Sequence, residues 1–173
     1  MLRYTVQLAI VFLLAVSSAS MAKLQAADAL AADGSPTPAV APIASPTGHL
    51  VELRTPIGTT FNAYVTGAED AKRGVLIIHD RRGLGDYAKG WAERFAAIGY
   101  RALVVDLYDG RYSNEPVGAT RIMTSIDQAS ANVNLKVGLA YLKAPGRTLA
   151  TFGWDFGGGQ ALWAALQDPE AVA

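Results

Sequence analysis

Gly74–Ile78 and Ala102–Val105 are unbroken apolar runs rich in valine, isoleucine and leucine. A strand with one wet face alternates apolar and polar residues, so runs without that alternation belong to strands covered on both faces, as parallel strands between helices are. Two such strands need a crossover, and the intervening residues supply one. Tyr87, Trp91, Phe95 and Ile98 recur at helical spacing, Asp86 stands where a capping residue would, and Gly99 follows as a stop. A second stripe, Ile122, Ile126, Ala129, Val133, Val137 and Tyr141, predicts a core-facing helix that ends before Pro145. Arg147–Phe152 reads as a further strand and leads directly into a short helix through Leu166. Upstream, His49–Arg54 and Phe61–Thr66 alternate around the turn Thr55-Pro56-Ile57-Gly58 and predict a hairpin with one wet face. The order β, β, β, α, β, α, β, α implies an α/β fold with a right-handed, mostly parallel sheet and helices on both faces. Ligands on such sheets bind beyond the carboxyl ends of the strands, which directs attention to the residues after Ile78, Val105 and Phe152.

Composition sets the outer bounds. A chain of 173 residues that is 51% apolar can bury one ordinary core. Its 15 basic and 15 acidic residues cancel, which argues against nucleic acid as a partner and against a membrane-coating surface. Cysteine is absent, so disulfides, thiolate metal sites and a cysteine nucleophile are all excluded. Two histidines and no loop of calcium-binding spacing leave no metal expected, and Gly83-x-Gly85 is too short for a dinucleotide fingerprint, so no cofactor is expected either. Residues 1–22 carry Arg3, an apolar run from Leu8 to Val16 and small residues up to Ala22. This is the pattern of an export signal cut before Lys23, with a run too short for the roughly 20 residues of a bilayer span. The expectation is an exported protein, periplasmic or secreted, with no stable membrane span after cleavage. Residues 23–47, rich in alanine and proline, read as a disordered spacer, and the folded domain is expected over 48–173.

The segment Gly153-Trp154-Asp155-Phe156-Gly157-Gly158-Gly159 stands between a buried strand and a helix. A strand that turns sharply into a helix through Gly-x-Asp-x-Gly has the form of a nucleophile elbow, apart from the identity of its central residue. Position 155 then takes a strained conformation, Gly153 and Gly157 remove side chains that would collide, and Gly158 and Gly159 are expected to allow close helix-to-sheet approach. The following helix N-terminus favours negative charge there. A glycine-rich turn with a capping aspartate is the plainer alternative. A phosphate loop is not, because Gln160 and Ala161 stand where lysine and a hydroxyl residue would be needed.

Three segments in order resemble the dienelactone hydrolase family of α/β-hydrolases: Gly74 to Asp80 (GVLIIHD) with Gly83 and Gly85, Gly99 to Tyr108 (GYRALVVDLY), and Gly153 to Gly159. The resemblance covers residues 49–173 and implies an α/β-hydrolase fold that stops after the elbow helix. It also implies roles for individual residues. Asp155 stands at the nucleophile position, and Asp80 corresponds to the family's carboxylate beside the nucleophile. The backbone N–H groups of Arg81 and Phe156 form the oxyanion hole, and Arg111 corresponds to an arginine that holds a substrate carboxylate, although Asp109 and Gly110 shift its spacing. Independently of the resemblance, Tyr108 and Tyr112 in the loop after the fourth strand and Trp154 beside the elbow are pocket candidates, whereas Tyr87 and Trp91 of the helical stripe are expected in the core. The implied partner is a small-molecule ester, lactone or related substrate.

This chain departs from the family in three ways. Cysteine or serine stands in the family at the position of Asp155. Aspartate is a working nucleophile in the related haloalkane dehalogenases and epoxide hydrolases, but attack on an ester would give a mixed anhydride. No histidine follows the elbow, and both His49 and His79 are expected to be structural. Ala171-Val172-Ala173 reads as the opening of a further strand, so the chain is expected to be a fragment or truncated product, inactive by itself. A non-catalytic relative that keeps the pocket for binding, an aspartate-nucleophile enzyme, and a structural protein outside the cytoplasm remain as alternatives.

Overall fold

The computed structural model describes residues 46–170 and Val172. The export signal and nearly all of the spacer therefore lie outside the described residues. Five strands, β1 (His49–Arg54), β2 (Thr60–Thr66), β3 (Arg73–Ile78), β4 (Tyr100–Val105) and β5 (Thr148–Gly153), form one sheet in the order β1-β2-β4-β3-β5. β1 and β2 form the antiparallel hairpin, and β2 runs antiparallel to β4. The central strand β3 is parallel to both neighbours, with Ile78 level with Val105 on one side and with Gly153 on the other. The three strand ends singled out by the sequence thus finish side by side. Val172 makes a parallel bridge to Leu149 of β5.

The apolar runs are buried on both faces, and alternation sorts them. Leu76, Ile78, Leu103 and Val105 face one layer, packed with Leu135, Leu139, Ala161 and Ala164. Val75, Ile77, Ala102 and Val104 face the other, packed with Ala88 and Ala92. These partners come from α1 (Asp86–Ala97), α3 (Gln128–Leu142) and α4 (Phe156–Gln167), and a shorter helix α2 (Pro116–Thr124) lies between. None of the described helices is long and apolar enough to cross a membrane.

The helices correct the sequence reading in two places. The single stripe from Ile122 to Tyr141 is broken into α2 and α3 at Ser125–Asp127. There the Asp127 carboxylate accepts from the Ser130 backbone N–H at 2.8 Å and so starts a new helix. That restart resets the helical phase. The buried face of α3 becomes Ala131, Leu135, Leu139 and Leu142, while Tyr141 is exposed and Ile122, Ile126 and Val137 pack only at the margin. In α1 the N-cap is Gly85, and Asp86 is the first helical residue, placed to complement the helix dipole. Its sheet-facing side chains are Ala88 and Ala92, because close approach to the strands admits only small groups. Trp91 and Phe95 lean across to Phe152 of β5, and Tyr87 and Ile98 stay exposed.

One polar cluster is buried with α1. The Glu93 carboxylate accepts from Tyr64 Oη (2.6 Å), Gly48 N (2.9 Å), Thr47 N (3.2 Å) and Thr47 Oγ1 (3.0 Å). It ties Thr47 and Gly48 to the back of the sheet, one residue inside the stretch read as spacer. Burial pushes this carboxyl up, but the bonds from Tyr64, Gly48 and Thr47 outweigh burial and hold it below its ordinary value. A carboxylate depressed on folding stabilises above its unfolded pKa, and that contribution disappears as pH falls through the folded value. Glu93→Gln is therefore expected to lower stability by about 2 kcal/mol at neutral pH. In urea unfolding, the gap to the parent chain should close below about pH 4. A gap independent of pH would show that the charge does not hold the cluster.

Candidate active site

The site is built where β5 ends. Asp155 has φ 53° and ψ −125°, a combination costly for any residue with a Cβ. Its two flanking glycines make that bend possible. A Cβ on Gly157 would strike the carbonyls of Ile78 and His79, and one on Gly153 would strike the backbone of Gly157. The expected role of Gly158 and Gly159 is corrected: a Cβ at Gly158 would make only ordinary contact, and one at Gly159 would meet nothing within 4 Å. Close approach of α4 to β3 depends on Gly157 alone among the three.

The bend presents Asp155 to a cleft of about 500 Å³, shared with Asp80, Arg81, Arg82, Tyr87, Asn114 and Trp154. The Nε of Arg81 lies 2.8 Å from Asp155 Oδ2, with both side chains roughly half exposed. Asp80 is more enclosed. It accepts from Arg82 Nε (2.9 Å), Arg82 Nη2 (2.6 Å) and the Arg82 backbone N–H (2.9 Å). Burial pushes the Asp80 carboxyl up, and the Arg82 contacts more than reverse it, so Asp80 stays ionised. The Trp154 indole lies close enough to help, yet its N–H makes no hydrogen bond and is buried. Trp154 also meets Tyr87 edge-on at 5.1 Å, so these rings form one wall. Tyr87, expected in the core, is instead 53% exposed on that wall.

His79 lies behind the cleft, fully buried. Its Nδ1 is 2.7 Å from the Asp80 carbonyl, and its Nε2 accepts from the Leu107 N–H at 3.1 Å. Burial holds the imidazole below its ordinary pKa, against a partial offset from Asp80 and Asp106. Both nitrogens are occupied and the ring stays neutral, which suits a structural role. His49 opens β1, two strands away from β4, in register with Val65. Neither histidine faces Asp155 as a base.

The structure does not bring three other sequence candidates, Arg111, Tyr108 and Tyr112, to the cleft wall. Arg111 turns back on its own loop, donating to the Tyr108 carbonyl (2.9 Å) and Ser125 Oγ (2.9 Å). Tyr108 is buried between His79 and Phe156, with ring centroids at 4.5 and 5.5 Å. Asp106 fixes that loop by accepting from Tyr108 N (2.8 Å) and Gly110 N (2.7 Å), which turns the tyrosine inward. Burial pushes the Tyr108 phenol up, and the charges of Asp80 and Asp155 add to the shift. Tyr112 sits against Gly85 and donates to Asn114 Oδ1 at 2.7 Å. The sequence reading missed Arg82, Tyr87 and Asn114. Only the first had a usable signal, an arginine two residues beyond an aspartate in a tight loop. Among the described residues no group of three or more metal-ligating side chains converges.

Residues 61–173 match the profile of the dienelactone hydrolase family. The chain belongs to that family. Among solved structures, this dienelactone hydrolase family member is similar to the protein m3DLH, at 29% identity and a TM-score of 0.57, covering 69% of this chain and 55% of that one. It shares its fold with a dienelactone hydrolase-like promiscuous phosphotriesterase from metagenomic libraries, at 22% identity and TM-score 0.57, covering 69% and 54%. The same fold occurs in a thioesterase domain from the curacin biosynthetic pathway, at 22% identity and TM-score 0.56, covering 72% and 42%. The chain spans about half the length of the first two proteins. No curated protein matches the sequence. The fold is thus a mixed, mostly parallel α/β-hydrolase sheet, and in this family member Asp155 stands at the bend between β5 and α4.

The glycine roles can be separated by melting. Gly157→Ala is expected to destabilise the chain by more than about 2 kcal/mol, since backbone carbonyls must yield. Gly159→Ala, in open space within a helix, should be neutral or raise stability by up to about 1 kcal/mol. Equal melting temperatures for the two variants would contradict the seat assigned to Gly157.

Proposed function

We propose that the cleft is a hydrolytic site for a small ester, lactone or related electrophile, with Asp155 in the nucleophile's place. The observation that carries this reading is the backbone of Asp155, strained at φ 53° between two glycines and aimed at a cleft that also holds Asp80. Strain of this kind persists where surrounding structure imposes it, and it clusters at functional sites. Arg81 N–H and Phe156 N–H are the proposed oxyanion donors. Phe156 begins α4, where the first N–H groups lack helical acceptors. Trp154 and Tyr87 would flank the bound molecule.

The carboxylate decides which chemistry fits. On a saturated carbon bearing a leaving group or an epoxide oxygen, an Asp155 oxygen would form an alkyl ester as the carbon–heteroatom bond breaks with its electron pair. Water would then cleave that ester. On an acyl carbon the same attack gives a mixed anhydride. The base that either cycle needs is not His79, whose nitrogens are both engaged. The second reading, a binding module that has lost its nucleophile, is favoured by the Arg81–Asp155 ion pair, which occupies one carboxylate oxygen.

Incubation with p-nitrophenyl acetate and with styrene oxide distinguishes the two. Under the hydrolytic reading, mass spectrometry should find an adduct on Asp155 or turnover of at least one compound, abolished by Asp155→Asn. If the parent chain shows neither and Asp155→Ser acquires activity on p-nitrophenyl acetate, the binding reading holds.

A further inference from the structure

We propose that His79 is a positioning residue for the oxyanion hole, acting through the peptide that joins Asp80 to Arg81. This role rests on the hydrolytic reading of the elbow. The Asp80 carbonyl can only accept, so the His79 Nδ1 at 2.7 Å must carry the proton. The Leu107 N–H can only donate, so Nε2, at 3.1 Å, must be bare. Asp106 Oδ1, the nearest charge to Nε2, stands at 3.9 Å, beyond hydrogen-bond reach. Partners on both sides thus select one tautomer, and burial keeps the ring neutral.

Peptide planarity turns this contact into a function. The bond between Asp80 and Arg81 is trans, so the Arg81 N–H points opposite to the Asp80 carbonyl. The carbonyl is held inward by His79 Nδ1, and also accepts from Gly83 N at 3.2 Å. The Arg81 N–H is therefore directed outward, toward the cleft that Asp80 and Arg81 line. The same imidazole stacks on Phe156, the residue that supplies the other donor, with centroids 6.1 Å apart. Its own backbone carbonyl seats Gly157. One buried ring thereby touches the peptide of the first donor, the side chain of the second and the loop after β4.

The test begins with ring-nitrogen NMR of the full chain. A protonated Nδ1 and a bare Nε2 are expected at neutral pH, and an Nε2–H tautomer overturns the assignment. His79→Asn keeps a donor near the position of Nδ1, whereas His79→Leu removes it. The Arg81 backbone amide resonance should move in His79→Leu and return toward its parent position in His79→Asn. An unmoved Arg81 amide in His79→Leu overturns the role. Where p-nitrophenyl acetate is turned over, His79→Leu should lower kcat about 100-fold with KM little changed, and His79→Asn should recover part of the loss. Equal losses in kcat and in thermal stability for both variants would indicate packing alone. If the parent chain turns over nothing, the hydrolytic reading fails, and the tautomer and amide measurements still decide whether His79 orients the Arg81 peptide.

Discussion

The backbone of Gly157 rests against the carbonyls of Ile78 and His79, and this contact sets the distance between the elbow and the central strand. A methyl group there would push α4 away from β3. The Asp155 bend, the Arg81 pair and the stacking of His79 on Phe156 all span that gap, so each depends on a missing side chain. The buried parallel strands supply a rigid floor, and one glycine permits the helix to come down on it.

Much of this was legible in the sequence because it follows from strong local signals. Unbroken apolar runs located β3 and β4, and the Gly-x-Asp-x-Gly spacing located the bend. Phase was harder to read. The stripe of branched residues from Ile122 to Tyr141 keeps an even spacing, but Asp127 restarts the helix, and a cap of that kind shifts which face is buried. In α1 the largest residues were the wrong ones to place in the core. Alanines take the sheet because the helix sits close, and the aromatic residues extend sideways over β5. Arg111 followed family position and Tyr108 its place in the loop after β4, yet Asp106 curls that loop so that the tyrosine is buried and the arginine folds back. That curl depends on two backbone N–H groups meeting one carboxylate, which no pattern of side-chain types announces.

The polar groups around the cleft divide by how enclosed they are. His79, behind the cleft, is buried, has a partner on each ring nitrogen, and is committed to holding backbone in place. Asp80 is held by three contacts from one neighbouring residue. Asp155 is 43% exposed and has a single half-exposed partner, Arg81. This gradient, from fixed interior groups to one lightly held carboxylate at the rim, is what a site needs if the frame must stay still while one group meets the ligand.

The exposure of the Arg81–Asp155 pair has a further consequence. Two half-exposed charges in contact are held weakly, and dissolved ions compete for each of them across a Debye length of about 8 Å in physiological salt. The fraction of molecules with a bare rim carboxylate then rises with ionic strength. Brine would expose the carboxylate and dilute buffer would cover it, while the buried frame behind it remained indifferent to either.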